Sequence, residues 1–350
     1  MTRTSRPTPA AGGLRFPWPA PPAEGEATLV APGILWLRLA LPWALDHVNC
    51  YAIEGDDGWT LVDTGIDSPH ARAVWARILS GPLAGRPVCR VLVTHHHPDH
   101  IGLAGWFAAQ GAEIWTSRTA WLMARMLHLD RQQVPPPQQI AFWRRAGMPA
   151  EMLARRALER PYNSADSVHP IPLGYRRLVE GQCLRLGSRD WLVRMGEGHA
   201  PEHITLWSDD GLVLGGDQLL PGISPNLGVH ATEPQADPVG DWLDSCARMV
   251  AFATPEQLVL PGHKLPFHGL PARLAALIDN HRTALTRVES ALAQTPRTAV
   301  GCFDLLFRRR IGEGEFGLAL VEAVAHLNHL HRAGRARPVG EAAGAILWGR

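Results

Sequence analysis

The chain is predicted to be an α+β protein built from two β-sheets with helices outside, and three observations predict it. Strand-like runs come in consecutive groups and outnumber the helices available to cross between them, which suits two sheets better than one doubly wound parallel sheet. The composition, 46% hydrophobic and 19% charged over 350 residues, is that of an ordinary globular protein with enough apolar matter for a sizeable core. Two further stretches, about 118–162 and everything after about 270, carry apolar residues at helical rather than strand spacing.

Residues 1–27 are rich in proline and glycine and read as an irregular arm, with Leu14, Phe16 and Trp18 available to drape it over the fold. Strands are expected over 33–41, 48–54 and 58–63, a helix over 69–79, a strand running into His95, a helix over 99–110 and a strand over 113–116. The second half repeats the theme, with strands near 183–186, 191–195, 203–207 and 212–214, a helix near 237–252 and a strand over 258–260. Between the halves, 118–165 forms a helical cap insertion holding Trp121, Met126, Phe142, Trp143 and Met152, broken into at least two helices by Pro135-Pro136-Pro137. The main domain is therefore drawn over 28–268, followed by a small helical appendage over 269–350 with helices near 272–293, 304–307 and 316–332.

A net charge of +1 offers no global pull toward nucleic acid or anionic membranes, and no apolar run approaches the length of a membrane span. The first residues carry Arg3, Arg6 and Arg15 without an apolar core between them, which argues against a secretory signal. Five scattered cysteines, Cys50, Cys89, Cys183, Cys246 and Cys302, show no metal-binding spacing and fit a reducing compartment, so a cytoplasmic location is expected. Lys264 is the sole lysine of the chain.

The chemistry concentrates in Val93-Thr94-His95-His96-His97-Pro98-Asp99-His100, which follows an apolar strand. In an extended segment alternate side chains share a face, so His95 and His97 can share one ion, while Asp99 and His100, where a helix begins, reach a second. Further candidates follow strand-like runs, each beside a glycine: Gly198-His199, Gly216-Asp217 and Gly262-His263. Glycine there allows a sharp turn and removes a Cβ from a crowded site. His96 and His203 fall inside these motifs and are assigned to surface, packing or hydrogen-bonding roles. His169, His230 and His268 are less constrained, and His230 is expected to be a solvated loop residue. His326, His329 and His331 at helical spacing are assigned to packing or dimerisation of the tail.

In order and spacing these residues resemble the metallo-β-lactamase superfamily pattern of His-x-His-x-Asp-His, a later Gly-His, a Gly-Asp and a final Gly-His, with Leu61-Val62-Asp63-Thr64-Gly65 matching its upstream turn. The resemblance implies an αββα sandwich with metals at one edge between the sheets. It places His95, His97 and His199 on one ion, Asp99, His100 and His263 on the other, and Asp217 between them, with Asp63 orienting a ligand or the histidine loop. The tail resembles the winged-helix-like C-terminal region of a β-lactamase-like, glyoxalase II-like hydrolase branch.

Five imidazoles and two carboxylates suit two Zn²⁺ ions, with iron or manganese as alternatives for the same mixed donors. Such a centre is expected to turn a bridging water into hydroxide near neutral pH and direct it at a carboxylic ester, thioester or lactone, with Asp99 taking a proton. The resemblance argues against a true β-lactamase, which lacks the aspartate at position 217. The alternative is a metal-dependent phosphodiesterase or ribonuclease, disfavoured by the near-neutral charge and the lack of a basic exosite. Candidate substrate contacts are Lys264, for an anionic group on a small acyl substrate, and Tyr162 and Tyr175 at the exit of the insertion.

Overall fold

Apolar, largely buried runs fold residues 28–62 into a meander of β1 (Thr28–Ala31), β2 (Ile34–Ala40), β3 (His47–Gly55) and β4 (Gly58–Val62), each antiparallel to the last. The computed structural model describes residues 13–350, so Arg3, Arg6 and the rest of the first twelve residues of the expected arm lie outside the described residues. From Gly13 onward Leu14 is buried, Trp18 packs edge-on against Trp36, and Arg15 pairs with His268 through the backbone. The sheet continues in parallel through β5 (Val88–Leu92), β6 (Glu113–Thr116) and the two-residue β7 (Arg176–Arg177).

Helix α1 (Pro69–Ser80) connects β4 to β5, beginning where Ser68 accepts a hydrogen bond from the Ala71 amide and Pro69 occupies the first turn. Its buried face, Ala71, Val74, Trp75 and Ile78, joins Leu61, Val91 and Phe107 in an apolar cluster on the outer side of the sheet. After β5 come α2 (Pro98–Ile101), α3 (Ala104–Ala108) and, beyond β6, α4 (Arg118–Leu129). The single helix expected over 99–110 is thus two. The His100 carbonyl accepts from the Thr64 amide at 2.9 Å and hydroxyl at 3.0 Å, and the Gly102 carbonyl from the His169 amide at 2.7 Å, which diverts the acceptors a continuous helix would need.

Contacts within the chain define two compact units. The first comprises the described residues to Arg131, Asn163–Ser224 and Val250–Leu274; the second comprises Gln132–Tyr162, Pro225–Met249 and Ala275–Arg350. The insertion contributes α5 (Pro137–Arg145) and α6 (Ala150–Arg156) to the second unit. In the first unit a five-stranded sheet is built from β8 (Cys183–Leu186), β9 (Arg189–Gly196), β10 (His203–Ser208), β11 (Leu212–Gly216) and β12 (Leu258–Pro261), antiparallel except for the parallel pair β11 and β12. The two sheets share a core in which Ile34, Trp36, Ile53 and Leu92 meet Trp191, Val193, Ile204, Leu206 and Leu260.

The rest of the second unit includes most of α7 (Pro238–Val250), most of α8 (Leu270–Leu292), α9 (Phe303–Phe307), α10 (Phe316–Arg332) and an antiparallel ribbon of β13 (Arg337–Ala342) and β14 (Ala345–Gly349). Leu277, His281, Leu285, Val288 and Leu292 recur at helical spacing as the buried stripe of α8. The ribbon follows the last helix and closes the tail. Its two-residue turn, Ala343-Gly344, has φ of 51° and 80°, the double left-handed turn whose twist matches antiparallel strands.

Trimming Leu206 to alanine should cost about 2–5 kcal/mol, because the side chain is buried between the two sheets. Removing the α1 cap with Ser68→Ala should cost about 1 kcal/mol. Urea unfolding followed by tryptophan fluorescence checks both, and equal losses for the two variants would contradict this division of core and cap.

Candidate metal centre

Strand direction brings the candidate side chains together. β4 and β5 run parallel, and β9, β11 and β12 share one direction in the other sheet, so the residues that follow them leave at strand ends of like polarity. Asp63 follows β4, the His95–His100 segment follows β5, His199 follows β9, Asp217 follows β11 and His263 follows β12. Hydrogen bonds close this edge between the sheets. The Asn49 amide donates to the Gly262 carbonyl at 2.7 Å, the Tyr51 hydroxyl to the Pro261 carbonyl at 2.9 Å, and the Ile204 amide to the Thr94 carbonyl at 2.8 Å.

Two groups of donors result. His95, His97 and His199 each place one ligand atom within 4.8 Å of the others, and so do Asp99, His100 and His263. Asp217 faces both: its Oδ1 lies 3.4 Å from His100 Nε2, and its Oδ2 lies 3.3 Å from His263 Nε2 and 3.4 Å from His199 Nε2. Asp99 Oδ2 stands 3.4 Å from His100 Nε2 and 3.3 Å from His263 Nε2.

These separations fit metal ions better than hydrogen bonds. Buried Nε2 of His100, Nε2 of His263 and Oδ1 of Asp217 have no hydrogen-bond partner among the described residues, although carboxylates lie that near. Donors held about 2.0–2.1 Å from a tetrahedral ion lie roughly 3.3 Å apart, the spacing seen here. The glycines preserve that space. A Cβ on Gly262 would collide with Asp217 Oδ1 and His100 Cε1, and one on Gly216, at φ 48°, with the His203 ring.

Outer hydrogen bonds fix which nitrogen of His95, His100 and His263 faces the site. Asp63 accepts from the Thr94 amide on Oδ1, and from the Thr94 hydroxyl and His100 Nδ1 on Oδ2, each at 2.8 Å. Its φ of 61° aims the carboxylate inward, a left-handed conformation that aspartate tolerates better than most residues. Because the Thr94 hydroxyl spends its proton on Asp63, it accepts from His95 Nδ1 at 3.0 Å, which leaves His95 Nε2 with its lone pair 3.0 Å from His97 Nδ1. His263 Nδ1 donates to the His47 carbonyl at 2.6 Å, leaving its Nε2 to the site. Asp63 therefore orients His100, and Thr94 and His47 are outer partners that no sequence pattern singled out.

Burial, reinforced by His100 and the neighbouring imidazoles, pushes His95 well below the usual histidine range. His97 is likewise depressed by burial and then by His199. Burial also opposes charge on His100, yet Asp99, Asp217 and Asp63 outweigh it and raise its pKa. His263 is opposed by burial but raised to about 9, chiefly by Asp217. Burial pushes Asp217 up, but His263 and His100 hold it well below the carboxylate range. The site is a concentrated pair of carboxylates that demands positive charge.

The remaining candidates separate clearly. His203 stacks on His95 with centroids 4.5 Å apart and accepts from the Asp217 amide at Nε2, so it packs and orients. His96 packs edge-on against His97 and belongs to neither donor group. Lys264, half-buried at φ 69°, donates its amide to His47 Nε2, and its charge helps to lower Asp46 after His47 has done so. Tyr175 stacks on Trp121 at 4.8 Å among apolar core residues. Tyr162 is exposed in the second unit, as is His230. His169 borders the Pro170 carbonyl and His268 the Glu256 carbonyl.

Residues 43–263 match the model of the metallo-beta-lactamase superfamily, and residues 285–350 match a metallo-beta-lactamase-like C-terminal domain. The chain belongs to the metallo-β-lactamase superfamily. A beta-lactamase domain protein from Burkholderia ambifaria is similar over 96% of this chain and 98% of its own, with 36% identity and a TM-score of 0.88. The metallo-beta-lactamase family protein TTHA1429 from Thermus thermophilus is similar over 92% of this chain and 99% of its own, with 28% identity and a TM-score of 0.75. A Bacillus subtilis protein named probable metallo-hydrolase YqjP is 26% identical over 85% of this chain and 92% of its own length. Membership implies a divalent metal, which the donor set above fits.

Asp63→Asn should weaken metal binding by about 10–100-fold, because an amide cannot hold Thr94 and His100 with the same charge. Competition with a chromophoric chelator measures it, with His230→Ala as the control that leaves affinity unchanged. An Asp63→Asn protein that competes as well as the parent would remove the orienting role of Asp63.

Proposed function

We propose that the chain is a metal-dependent hydrolase with a binuclear zinc centre that cleaves a carboxylic ester, thioester or lactone of small size. The observation that carries this reading is the Asp217 carboxylate, whose two oxygens face His100 on one side and His199 and His263 on the other. The name of the Bacillus subtilis relative, a probable metallo-hydrolase, supports the reaction class. Imidazole with carboxylate favours zinc, and iron or manganese suit the same donors.

When bound, a divalent pair lowers the pKa of water from 15.7 toward about 7 and polarises the electrophilic oxygen of the substrate. The chain's own residues set the geometry. Asp63 and the His47 carbonyl keep His100 and His263 in the tautomers that present Nε2. Thr94 does the same for His95. His203 holds the Asp217 backbone through its amide, so the carboxylate keeps its place between the two groups. Asp99, pushed up by burial but held far below its usual range by His100 and His263, is ionised and is the group we assign to accept a proton from the attacking water. Lys264 is the assigned contact for an anionic group on the acyl substrate. The net charge of +1 supports a small acyl substrate over a polyanion, and the five scattered cysteines support a cytoplasmic setting.

A substrate panel on metal-analysed protein tests the proposal. Thioester and lactone turnover should be nearly independent of salt, since a small acyl substrate releases few counterions. Cleavage of single-stranded RNA that weakens steeply with salt, with no turnover of any acyl compound, would replace this reading with the phosphodiesterase one.

A further inference from the structure

The second unit contains a buried cluster that the centre above does not use. His281 on α8 and Glu322 and His326 on α10 each place one potential ligand atom within 4.8 Å of the other two. Glu322 and His326 are one helical turn apart and so share a face of α10. Both histidines are almost completely buried, at 1% exposure each.

The hydrogen bonds reveal where the lone pairs point. His326 Nδ1 lies 2.8 Å from the Glu322 carbonyl, which can only accept, so Nδ1 carries the proton and Nε2 presents a lone pair. That Nε2 is 3.3 Å from His281 Nδ1. The distance is long for a hydrogen bond between ring nitrogens and matches the roughly 3.3 Å edge of a tetrahedron of nitrogen donors around zinc. A ring nitrogen locked by a backbone carbonyl, with the lone pair of the other nitrogen turned toward further donors, is also the arrangement that prepares histidine for a metal.

Glu322 completes the set. One of its oxygens accepts from Asn226 Nδ2 at 2.8 Å, and burial, offset only by that bond, pushes its pKa up to about 7. Burial lowers His281 to about 3, with His326 adding to the effect, and lowers His326 to about 4. Two imidazoles and one glutamate carboxyl group that converge within 4.8 Å, both histidines buried, are a donor set zinc accepts.

We propose that His281 Nδ1, His326 Nε2 and a carboxylate oxygen of Glu322 hold a further divalent cation, zinc by donor chemistry, that clamps α8 to α10. The site is separate from the centre of the first unit in every ligand. Of the three tail histidines at helical spacing only His326 takes part: His329 turns to Asp237 at 3.1 Å and His331 to the Ala336 carbonyl at 3.0 Å.

The test is metal content of the full chain after zinc loading and dialysis, compared with Glu322→Gln and His326→Gln. Each variant should carry one ion per chain fewer than the parent, whatever the parent's total. Because the difference is read, a failure of the binuclear reading changes the parent's count and not this comparison. Circular dichroism identifies a misfolded variant; should His326→Gln misfold, Glu322→Gln, which keeps the shape of the side chain, decides alone. A second readout is thermal: a chelator should lower the Tm of the parent in one more step than it does in Glu322→Gln. Metal content and chelator response equal to the parent's in the folded variant would overturn the proposal.

Discussion

Asp63 sets three hydrogen bonds on one buried carboxylate, and the metal centre depends on them. Through the Thr94 amide and hydroxyl it shapes the loop that carries His95 to His100, and through His100 Nδ1 it fixes one imidazole directly. The Thr94 hydroxyl passes the constraint to His95. Across the edge the His47 carbonyl does for His263 what Asp63 does for His100, and His203 secures the backbone of Asp217. Polar groups gathered in a dry place are costly unless each is partnered. Here every outward-facing nitrogen described above has a protein partner, while the inward-facing Nε2 of His100 and of His263 meets carboxylates at 3.3–3.4 Å and has no hydrogen-bond partner among the described residues. Such an arrangement is balanced by cations and by little else.

The residues that converge at this edge were legible because they combine two independent signals: a chemistry-bearing residue type and a place just after an apolar strand. Glycine gave a third, and the structure supplies its reason at Gly216 and Gly262, where a Cβ has no room. Thr94 and His47 were not legible. One contributes a hydroxyl and the other a main-chain carbonyl, so the side-chain pattern carries little or no trace of the work. Most strands were also readable, β6 (Glu113–Thr116) and β4 (Gly58–Val62) nearly to the residue. The break between α2 and α3 was not, because its cause is a set of carbonyls claimed by Thr64 and His169, which stand far away in sequence. The closing ribbon escaped a helical reading for a related reason: its turn depends on the left-handed backbone of Ala343 and Gly344, and alanine advertises no such preference.

The tail histidines show how spacing alone misleads. Three histidines within six positions of a helix invite a shared role, yet intervals of three and two residues send them to different neighbours. His326 finds its counterpart 45 positions back in the chain, on α8, and only the packing of those helices exposes the pair. The same packing brings Asn226 onto Glu322, and the Val229 amide onto the Val321 carbonyl at 3.1 Å. Segments distant in sequence thus assemble the second unit, as strand ends assemble the first.

Crystals of the zinc-loaded chain, with anomalous scattering recorded at the zinc edge, test the central claim most directly. Two peaks are expected to flank the Asp217 carboxylate, one contacted by His95, His97 and His199 and the other by Asp99, His100 and His263. A single peak in that region, or two peaks of which only one contacts Asp217, would contradict it.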